Sequence, residues 1–513
     1  ALQGGFIGDF VDQAIVWPSD ASKTGSDHYF AFGGDWNDYD PSDNSFNCNG
    51  IIAADRSLHP HAYEVARQYQ SIHTCATPEE AALGQVKVYN ENFFIGLERY
   101  RMDWEYTVNG EPVLCGSLPD LSVAPGNTET VSLGVTLEDV AAAYGAAALD
   151  GEDVYLNVRD SLKKRDGLLP AGQTVACGQI AVNVAAPVLP AVSDGPVAFR
   201  EEGNLRILSG NRSYAGCGAV RNAPWSIGFD ASTGALCIYT LAERELVKEP
   251  LMPCFGRAVT ENEMGSRAYN TMKAWQWPEI VLEDLSIGTE GERCVVRTSY
   301  GVNGQGVILR YEISGDGSVA ITQKMEDRGG LADQACLFRF GFEFTMPGNW
   351  NTIDFYGCGP HEHWCDRRSS AFVGHYIQKV SEQYHWGYPR PQTSGTHTGL
   401  KWFKVLDDSG CGLCFTSAEE FSACALPIAR RDLDLSARGG DRRDRHPDAQ
   451  VHSLDLRHLA HGNDRSNGVT HVNIDLKEAG LGCIDSWGAS PLEEYRVWPR
   501  EYEFRVVLAP VLN

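Results

Sequence analysis

The 513-residue sequence has a shortage of basic residues, and this shortage argues against one large class of ligands. Lysine and arginine number 43 against 68 aspartates and glutamates, so the formal net charge is −25. Nucleic-acid-binding proteins need basic stripes that neutralise phosphates and release counterions. We therefore expect no nucleic-acid partner, and a neutral ligand suits the composition better.

Long apolar runs are also absent, and the cysteines are too scattered for a dense disulfide framework. No stretch of about 18 apolar residues predicts a membrane span, and the first residues do not resemble a secretory signal. The 15 cysteines are typical of reduced thiols, so we expect a cytoplasmic location and no membrane partner. Cys411 and Cys414 form one C-x-x-C pair with no second pair at zinc-finger spacing, so no metal is expected there.

The standard catalytic signatures are missing as well. The sequence contains no G-x-S-x-G, P-loop, strand-following G-x-G-x-x-G or H-E-x-x-H motif, so the usual evidence for acyl transfer, nucleotide use and zinc proteolysis is lacking. What is present is an ordinary globular composition, 43% hydrophobic and 22% charged, which can build large cores. The length is compatible with about three domains.

Residues 1–76 predict one strand, a long polar loop and one helix. The strand is expected in the apolar segment that ends near Trp17, and the loop in the Gly-, Asp- and Asn-rich stretch 33–50. Pro60 suits the first turn of a helix whose apolar residues repeat along one stripe. Because parallel strands are buried on both faces, this unit cannot cover its own apolar surface and is interpreted as the last βα unit of something larger.

In residues 77–186 the hydrophobic residues repeat with a period of two. In YRMDWEYTV, Trp104 and Tyr106 share one face while charged residues occupy the other, which is typical of a half-buried antiparallel strand. Asn109–Gly110 then supplies a type I′ hairpin turn. Similar patterns further along predict an immunoglobulin-like β-sandwich.

Strand-type hydrophobic patterns continue through residues 187–513, and helical patterns are rare there. A proline-rich linker, residues 185–196, leads into this part of the chain. Its alternating segments and tight turns, such as Asp316–Gly317, predict one large two-sheet β-sandwich that exceeds an immunoglobulin unit.

The segment GCGPHEHWCDRRSS, residues 357–370, is the first of two clusters with possible chemistry. In one interpretation Asp366 pairs with Arg367 or Arg368 and the neighbouring histidines tie a loop between sheets. In the other, His361 and Glu362 form a site of their own. The first interpretation is favoured.

The second cluster is DNSFNCNG, residues 43–50. Loops at the carboxyl ends of parallel barrel strands carry ligand groups, so Asn49 could bond sugar hydroxyls, and nearby carbonyls could hold a hard cation. The alternative is that Asn47, Asn49 and Gly50 only supply turn residues with positive φ. The residues alone leave the two interpretations even.

Trp487, in DSWGASPLEEYRVWP, raises a similar choice. A tryptophan beside aspartate, serine and glycine can fill a core or present a flat apolar face to a ligand, and burial is the default for this residue type.

Several segments together resemble a known family. GGFIGDFVDQ, GGDW, SFNCNGIIAADRSLHPHAYEV, YGCGPHEHWCDRR and THVNIDLKEAGLGCIDSWGASPL occur in the order typical of the large bacterial β-galactosidases of glycoside hydrolase family two. The resemblance covers essentially the whole chain. It implies a mainly β protein with three parts: the end of a (β/α)₈ barrel over 1–76, an immunoglobulin-like β-sandwich over 77–186, and a large β-supersandwich over 187–513.

The resemblance also implies a function: retaining hydrolysis of terminal β-D-galactosides such as lactose. By motif match, Asn49 would contact the galactosyl unit and, with the Phe46 carbonyl, hold Na⁺, while the indole of Trp487 would stack on the sugar. Both catalytic glutamates lie upstream of the GGF strand in the family, so this chain is expected to lack them and to be inactive alone. Its partners would be a β-galactoside, the missing N-terminal half or a complementing subunit, and further copies in an oligomer. Mg²⁺ is expected in the complete enzyme, with ligands outside this chain.

Two departures and two alternatives accompany the resemblance. Gly8 stands where the family usually has a tryptophan that lines the galactose pocket, which puts specificity for unmodified galactosides in doubt. RAVTENE, residues 257–263, departs from the family's R-A-P-x-D-N-D, and we expect a structural role for it. The alternative functions are a noncatalytic carbohydrate-binding or assembly module, and an aldose-epimerase-like supersandwich that uses His361 and Glu362.

Overall fold

The computed structural model describes residues 4–35, 47–216, 219–266, 269–434, 451–460, 468–482 and 489–512. Strands dominate these residues, as the sequence predicted. None of the helices in the described part of the chain has the length and apolar character that a membrane span requires.

The N-terminal part is short in regular structure. Its elements are β1 (Ile15–Pro18), α1 (Ala21–Thr24), β2 (His28–Ala31) and α2 (Pro60–Gln68), and β1 pairs with β2 in an antiparallel hairpin. The helix begins at Pro60, as predicted, because proline loses nothing at a position whose N–H has no intrahelical partner.

The prediction of a strand in the first apolar segment was only partly correct, because β1 covers only the end of that segment. Before β1 the segment makes one isolated parallel bridge, from Val11 to Ile52, and is otherwise irregular. Phe6 and Phe10 on this segment are exposed, with relative accessibilities of 105% and 63%. A strand of a parallel barrel needs a hydrogen-bonded neighbouring strand on each side. Among the described residues this segment has only the single bridge to Ile52.

The second part is a β-sandwich with a three-stranded sheet, β3-β4-β7, and a four-stranded sheet, β6-β5-β8-β9. Its elements are β3 (Ile72–Cys75), α3 (Pro78–Ala82), β4 (Gln85–Asn90), β5 (Tyr100–Val108), β6 (Glu111–Leu118), β7 (Thr128–Ser132), α4 (Leu137–Tyr144), β8 (Val154–Leu162) and β9 (Thr174–Asn183). The predicted turn joins β5 to β6, with φ of 51° at Asn109 and 86° at Gly110. Trp104 and Tyr106 lie in the core between the sheets, as their alternation predicted.

β3 lies on the N-terminal side of the expected boundary at residue 76. It pairs with β4, so its backbone belongs to the three-stranded sheet. The boundary between the first two domains otherwise stays a prediction.

The third part is a 17-stranded sheet network, in which every described pairing is antiparallel, curled around one extended core. Its strands are β10 (Ala198–Glu202), β11 (Leu205–Gly216), β12 (Ala219–Asp230), β13 (Leu236–Leu241), β14 (Arg244–Glu245), β15 (Glu249–Cys254), β16 (Ile280–Glu290), β17 (Arg293–Val302), β18 (Gln305–Ile313), β19 (Val319–Glu326), β20 (Arg339–Pro347), β21 (Thr352–Gly359), β22 (Phe372–Lys379), β23 (His397–Leu406), β24 (Gly412–Leu426), β25 (Val469–Glu478) and β26 (Tyr502–Val511). Short helices connect some of them: α5 (Glu261–Gly265), α6 (Tyr269–Met272), α7 (Arg430–Leu433) and α8 (Arg457–Ala460).

The long strand β24 explains how so many strands close around one core. One edge of β24 pairs with β23, while the other pairs first with β26 and then with β25. Residues 418–420 of β24 are exposed between these two stretches, so the strand passes from one layer to the other there. The expected two-layer supersandwich is therefore formed by a continuous network of ladders rather than by two separate sheets.

The three parts pack against one another through polar contacts. Lys401 on β23 forms a buried ion pair with Asp153, beside the start of β8, and its Nζ also donates to the Ala185 carbonyl at 2.7 Å. On α2, Glu64 accepts a 2.9 Å hydrogen bond from the backbone N–H of Ser370. Because buried charges need partners, these contacts fix how the parts meet.

Candidate functional site

A cavity of about 320 Å³ lies where the N-terminal part meets the supersandwich. One side is formed by the turn that carries Asn49 together with His59 and His61, and the other by the loop after β22. Its described lining residues are Phe32, Cys48, Asn49, Gly50, His59, His61, Val259, Thr260, Asn262, Met264, Arg367, Tyr388, Pro389, Arg390, Pro391, Gln392 and Leu481. None of these residues is Asp or Glu, although acidic residues outnumber basic ones in the whole chain.

The turn around Asn49 is held closely against the first segment. The backbone N–H of Gly50 donates to Asp12 Oδ1 at 2.6 Å, and the N–H of Gln13 donates to the Asn47 carbonyl at 2.8 Å. A Cβ at Gly50 would overlap the backbone of Val11 and Asp12, so a glycine is required by this close approach.

This geometry separates the two interpretations of the DNSFNCNG cluster. Asn47 has a φ of 94° and therefore serves the turn. Asn49 is not among the residues with positive φ, and it is exposed at the cavity. The turn does not need an asparagine at position 49 for its backbone conformation, which leaves the Asn49 amide available to a ligand.

Histidines line the deeper part of the cavity. His59 Nε2 lies 2.8 Å from Asp12 Oδ2, and His61 Nε2 lies 3.1 Å from the Gly50 carbonyl oxygen. Burial lowers the pKa of His61 to about 4. His61 is therefore neutral at pH 7, and its Nε2–H donates to the carbonyl.

Arg367 of the GCGPHEHWCDRRSS cluster lines this cavity, and other residues of the cluster make structural contacts next to it. The buried carboxylate of Glu362 accepts hydrogen bonds from Tyr388 Oη at 2.7 Å and Gly395 N at 2.6 Å, and it also pairs with Arg367 at 3.3 Å. His361 Nε2 lies 2.9 Å from Ser370 Oγ.

The expected ion pair of Asp366 with Arg367 or Arg368 stays a prediction. Within the described residues Arg367 pairs with Glu362, while Asp366 accepts a 2.9 Å hydrogen bond from the backbone N–H of Gly482. Asp366 thus contacts the connection after β25, which is 116 positions further along the chain. The cluster still ties loops together, as the favoured interpretation held.

The RAVTENE segment, residues 257–263, makes structural contacts through Arg257. Arg257 is fully buried, donates to Glu263 and Glu478, and also donates to the carbonyl of Gly480 at 3.1 Å. The guanidinium thus holds α5 and the connection after β25 together.

Two of the three residues expected to form the site lie outside the described residues, namely Phe46 and Trp487. Their neighbours reach the cavity: Cys48 lines it on one side, and Leu481, in the connection that leads to Trp487, lines it on another. Asn49 alone does not define a cation site, so the expected Na⁺ site stays a prediction. No group of three or more His, Cys, Asp or Glu side chains among the described residues is arranged to hold a metal ion.

Comparison with known protein families decides where this chain belongs. Residues 221–508 match the sequence model described as "Beta galactosidase small chain". The chain belongs to this β-galactosidase family. Residues 86–183 match "Beta-galactosidase, domain 4", and residues 1–74 match "Glycosyl hydrolases family 2, TIM barrel domain". The family resemblance drawn from the sequence motifs is thus confirmed.

Curated relatives of this β-galactosidase family member align along nearly its whole length. A β-galactosidase of Priestia megaterium is 26% identical over an alignment of 516 positions, gaps included, that covers 99% of this chain and 45% of the relative. β-Galactosidases of Halalkalibacterium halodurans and Bifidobacterium adolescentis are 27% and 28% identical and cover 96% of this chain, which spans 44% and 43% of them. The chain therefore spans less than half the length of these relatives.

Among solved structures, a galactose 1-epimerase from Lactobacillus acidophilus covers 59% of this chain and 98% of its own. Its identity is 8% and its TM-score 0.25. This likeness is too low to inform the function.

Sequence reasoning missed the residues that support the Asn49 turn. Asp12, His59 and His385 are buried or half-buried beside the cavity, and His59 contacts both of the others. The sequence signal was present in FVDQ and LHPH, but nothing in it connects them to His385, which is 326 positions from His59.

Proposed function

We propose that this chain is the C-terminal portion of a β-galactosidase-type glycoside hydrolase that performs retaining hydrolysis of terminal β-D-galactosides such as lactose. The observation that carries the proposal is the cavity beside Asn49. It is formed jointly by the barrel-type segment and by the supersandwich, so both parts contribute to one pocket. Family membership and alignment to β-galactosidases along the chain support the same activity.

In this proposal the chain supplies the rim of the substrate site. The exposed amide of Asn49 can donate to and accept from sugar hydroxyls. Trp487 would present its indole face to the apolar side of the galactosyl ring. Asn49 and the Phe46 carbonyl would contribute oxygen ligands to Na⁺, while the ligands of Mg²⁺ would lie outside this chain.

The catalytic carboxylates are proposed to come from outside this chain. Retaining glycosidases need two carboxyl groups about 5 to 5.5 Å apart that face the substrate. The described lining of the cavity contains no carboxylate, and Asp12 and Glu362, which contact lining residues from outside the cavity, are buried in internal hydrogen bonds. This arrangement supports a chain that needs a complementing barrel half.

The proposal extends to specificity, location and assembly. Gly8 has open space around the position of a Cβ, so a bulkier or substituted galactoside could be admitted where the family tryptophan stands. No two cysteines in the described part of the chain form a disulfide, which agrees with a reducing cytoplasm. The working form would be an oligomer that contains the complementing half.

The test is an activity assay of the purified chain with a chromogenic β-galactoside, alone and mixed with a barrel half that carries the two glutamates. We expect background turnover alone and hydrolysis after mixing. Strong turnover by the purified chain alone would contradict the proposed division of the site. Calorimetry with galactose and lactose provides a second readout, because binding by the isolated chain would favour a noncatalytic carbohydrate-binding module.

A further inference from the structure

The Asp12 carboxylate connects two parts of the candidate site. Its Oδ1 accepts a 2.6 Å hydrogen bond from the backbone N–H of Gly50, the residue after Asn49. Its Oδ2 lies 2.8 Å from His59 Nε2, and both side chains are 3% exposed. A buried carboxylate with two donors is a rigid contact, since losing either donor leaves a desolvated oxygen.

The chain of contacts continues from His59 into the supersandwich. His59 Nδ1 lies 3.0 Å from His385 Nε2. The ring of Tyr388 packs on both histidines, with centroid distances of 5.6 Å to His59 and 4.6 Å to His385. The backbone N–H of His385 donates to Ser394 Oγ at 2.9 Å, which anchors this end.

The hydrogen positions follow from the partners. The carboxylate can only accept, so His59 Nε2 carries a hydrogen and donates to Asp12. Burial lowers the pKa of His385 to about 4, so this ring is neutral at pH 7. With Nε2 of His59 donating to Asp12, Nδ1 of His59 accepts from the Nε2–H of His385, so Asp12, His59 and His385 form one series of hydrogen bonds.

We propose that Asp12, His59 and His385 are positioning residues that hold the Asn49 turn against the supersandwich side of the cavity. The series joins the backbone at Gly50 to a loop more than three hundred residues away, so the two sides of the pocket cannot shift independently. Its consequence for catalysis rests on the proposed function, because Asn49 matters only if it contacts the sugar. The structural role of Asp12, His59 and His385 in holding the turn does not depend on sugar binding by Asn49.

A different interpretation is that these side chains merely satisfy one another in a buried region. The two interpretations predict different effects of a His385 substitution on residues 47–52. If the series positions the turn, removing the His385 donor should loosen residues 47–52 while the rest of the fold stays protected. If it only fills space, an isosteric apolar ring should serve equally well.

The experiment uses the purified chain and compares His385→Phe with His385→Gln by hydrogen–deuterium exchange. Phenylalanine keeps a ring but cannot donate, whereas the glutamine amide can still donate to His59 Nδ1. We expect exchange in residues 47–52 to accelerate roughly tenfold in H385F, the factor that follows from losing one hydrogen bond, and to stay near the starting rate in H385Q. His73→Gln is the matched control, because His73 pairs with Glu91 at 2.7 Å on the exposed sandwich surface.

The result that overturns the proposal is equal exchange of residues 47–52 in H385F, H385Q and the unaltered chain, or equal acceleration in both variants. Should H385F unfold, ¹⁵N-histidine NMR of the unaltered chain gives an independent answer. A slowly exchanging, downfield Nε2–H of His59 supports the series, and its absence contradicts it.

A separate measurement addresses the catalytic consequence. In the complemented enzyme, H385F should raise KM for the β-galactoside more than it lowers kcat, and H385Q should restore it. A complemented protein with no hydrolysis at all would remove the proposed function but would leave the exchange result intact.

Discussion

Gln179 of the sandwich and Val373 of the supersandwich exchange two hydrogen bonds, each 2.8 Å long. The Gln179 amide donates to the Val373 carbonyl and accepts from the Val373 N–H. The side chain thus acts as a strand-like partner for β22. Together with the buried Lys401–Asp153 pair, it fixes the sandwich against the domain that forms half of the cavity.

Gln179→Ala should therefore destabilise the chain by about 1 to 3 kcal/mol, because two half-buried backbone groups lose their partner. Urea unfolding monitored by tryptophan fluorescence measures the change. Gln173→Ala is the control, since the Gln173 side chain is exposed and donates locally to the Thr174 carbonyl at 3.2 Å. If both variants lower the free energy of unfolding equally, the two hydrogen bonds between Gln179 and Val373 do not contribute to stability beyond an ordinary surface contact.

Gly50→Ala should disrupt the Asn49 turn, since the added methyl group would overlap the backbone of Val11 and Asp12. Overpacking of this kind costs about 1 to 3 kcal/mol or more, and the turn must move to accommodate it. Gly288→Ala is a matched control with open space at its Cβ. Hydrogen exchange of residues 47–52 and urea unfolding measure both effects, and unchanged values for G50A would contradict the close approach.

Acidification should weaken the fold through its buried histidines. Burial lowers the pKa of His61 and of His361 to about 4, below the ordinary value of 6.5. The unfolded chain binds these protons more readily, so their contribution to stability is complete above pH 6.5 and is lost as pH falls toward 4.

His61→Gln tests this pH dependence. Glutamine can keep the donor to the Gly50 carbonyl without titrating. Between pH 6.5 and 4 the unaltered chain should lose stability relative to H61Q by up to about 1.4 kcal/mol per pH unit. Urea unfolding at half-unit pH intervals measures the difference, and parallel curves for the two proteins would show that His61 does not titrate on unfolding.

Trp487→Ala should impair substrate binding in the complemented enzyme. Loss of indole stacking should raise KM by a factor equivalent to about 1 to 3 kcal/mol. Trp498→Ala is the control, because Trp498 is 41% exposed and donates to the Glu493 carbonyl in the same connection. An unchanged KM in W487A would assign Trp487 to packing.

Local chemistry explains which features could be predicted from the sequence. The hairpin at Asn109–Gly110 follows from residues that tolerate positive φ between two alternating segments. The helix at Pro60 follows from a residue pre-organised for a first turn. Asn49 was identified as a candidate from its motif and lies at the cavity. Each of these depends on neighbours within a few positions along the chain.

Other features needed the tertiary structure because their partners are distant in sequence. The motif around Asp366 predicted an ion pair with an adjacent arginine, but it did not predict that Arg367 pairs with Glu362 or that Asp366 accepts a hydrogen bond from Gly482. Likewise, no periodicity or spacing connects His59 with His385. The sequence by itself determined the family, through the order of its motifs. It also determined the mainly β class and the turn chemistry, since short-range backbone preferences encode them. Only the tertiary structure decided which buried polar groups meet, because each must find a partner wherever the packed core brings one within hydrogen-bonding distance.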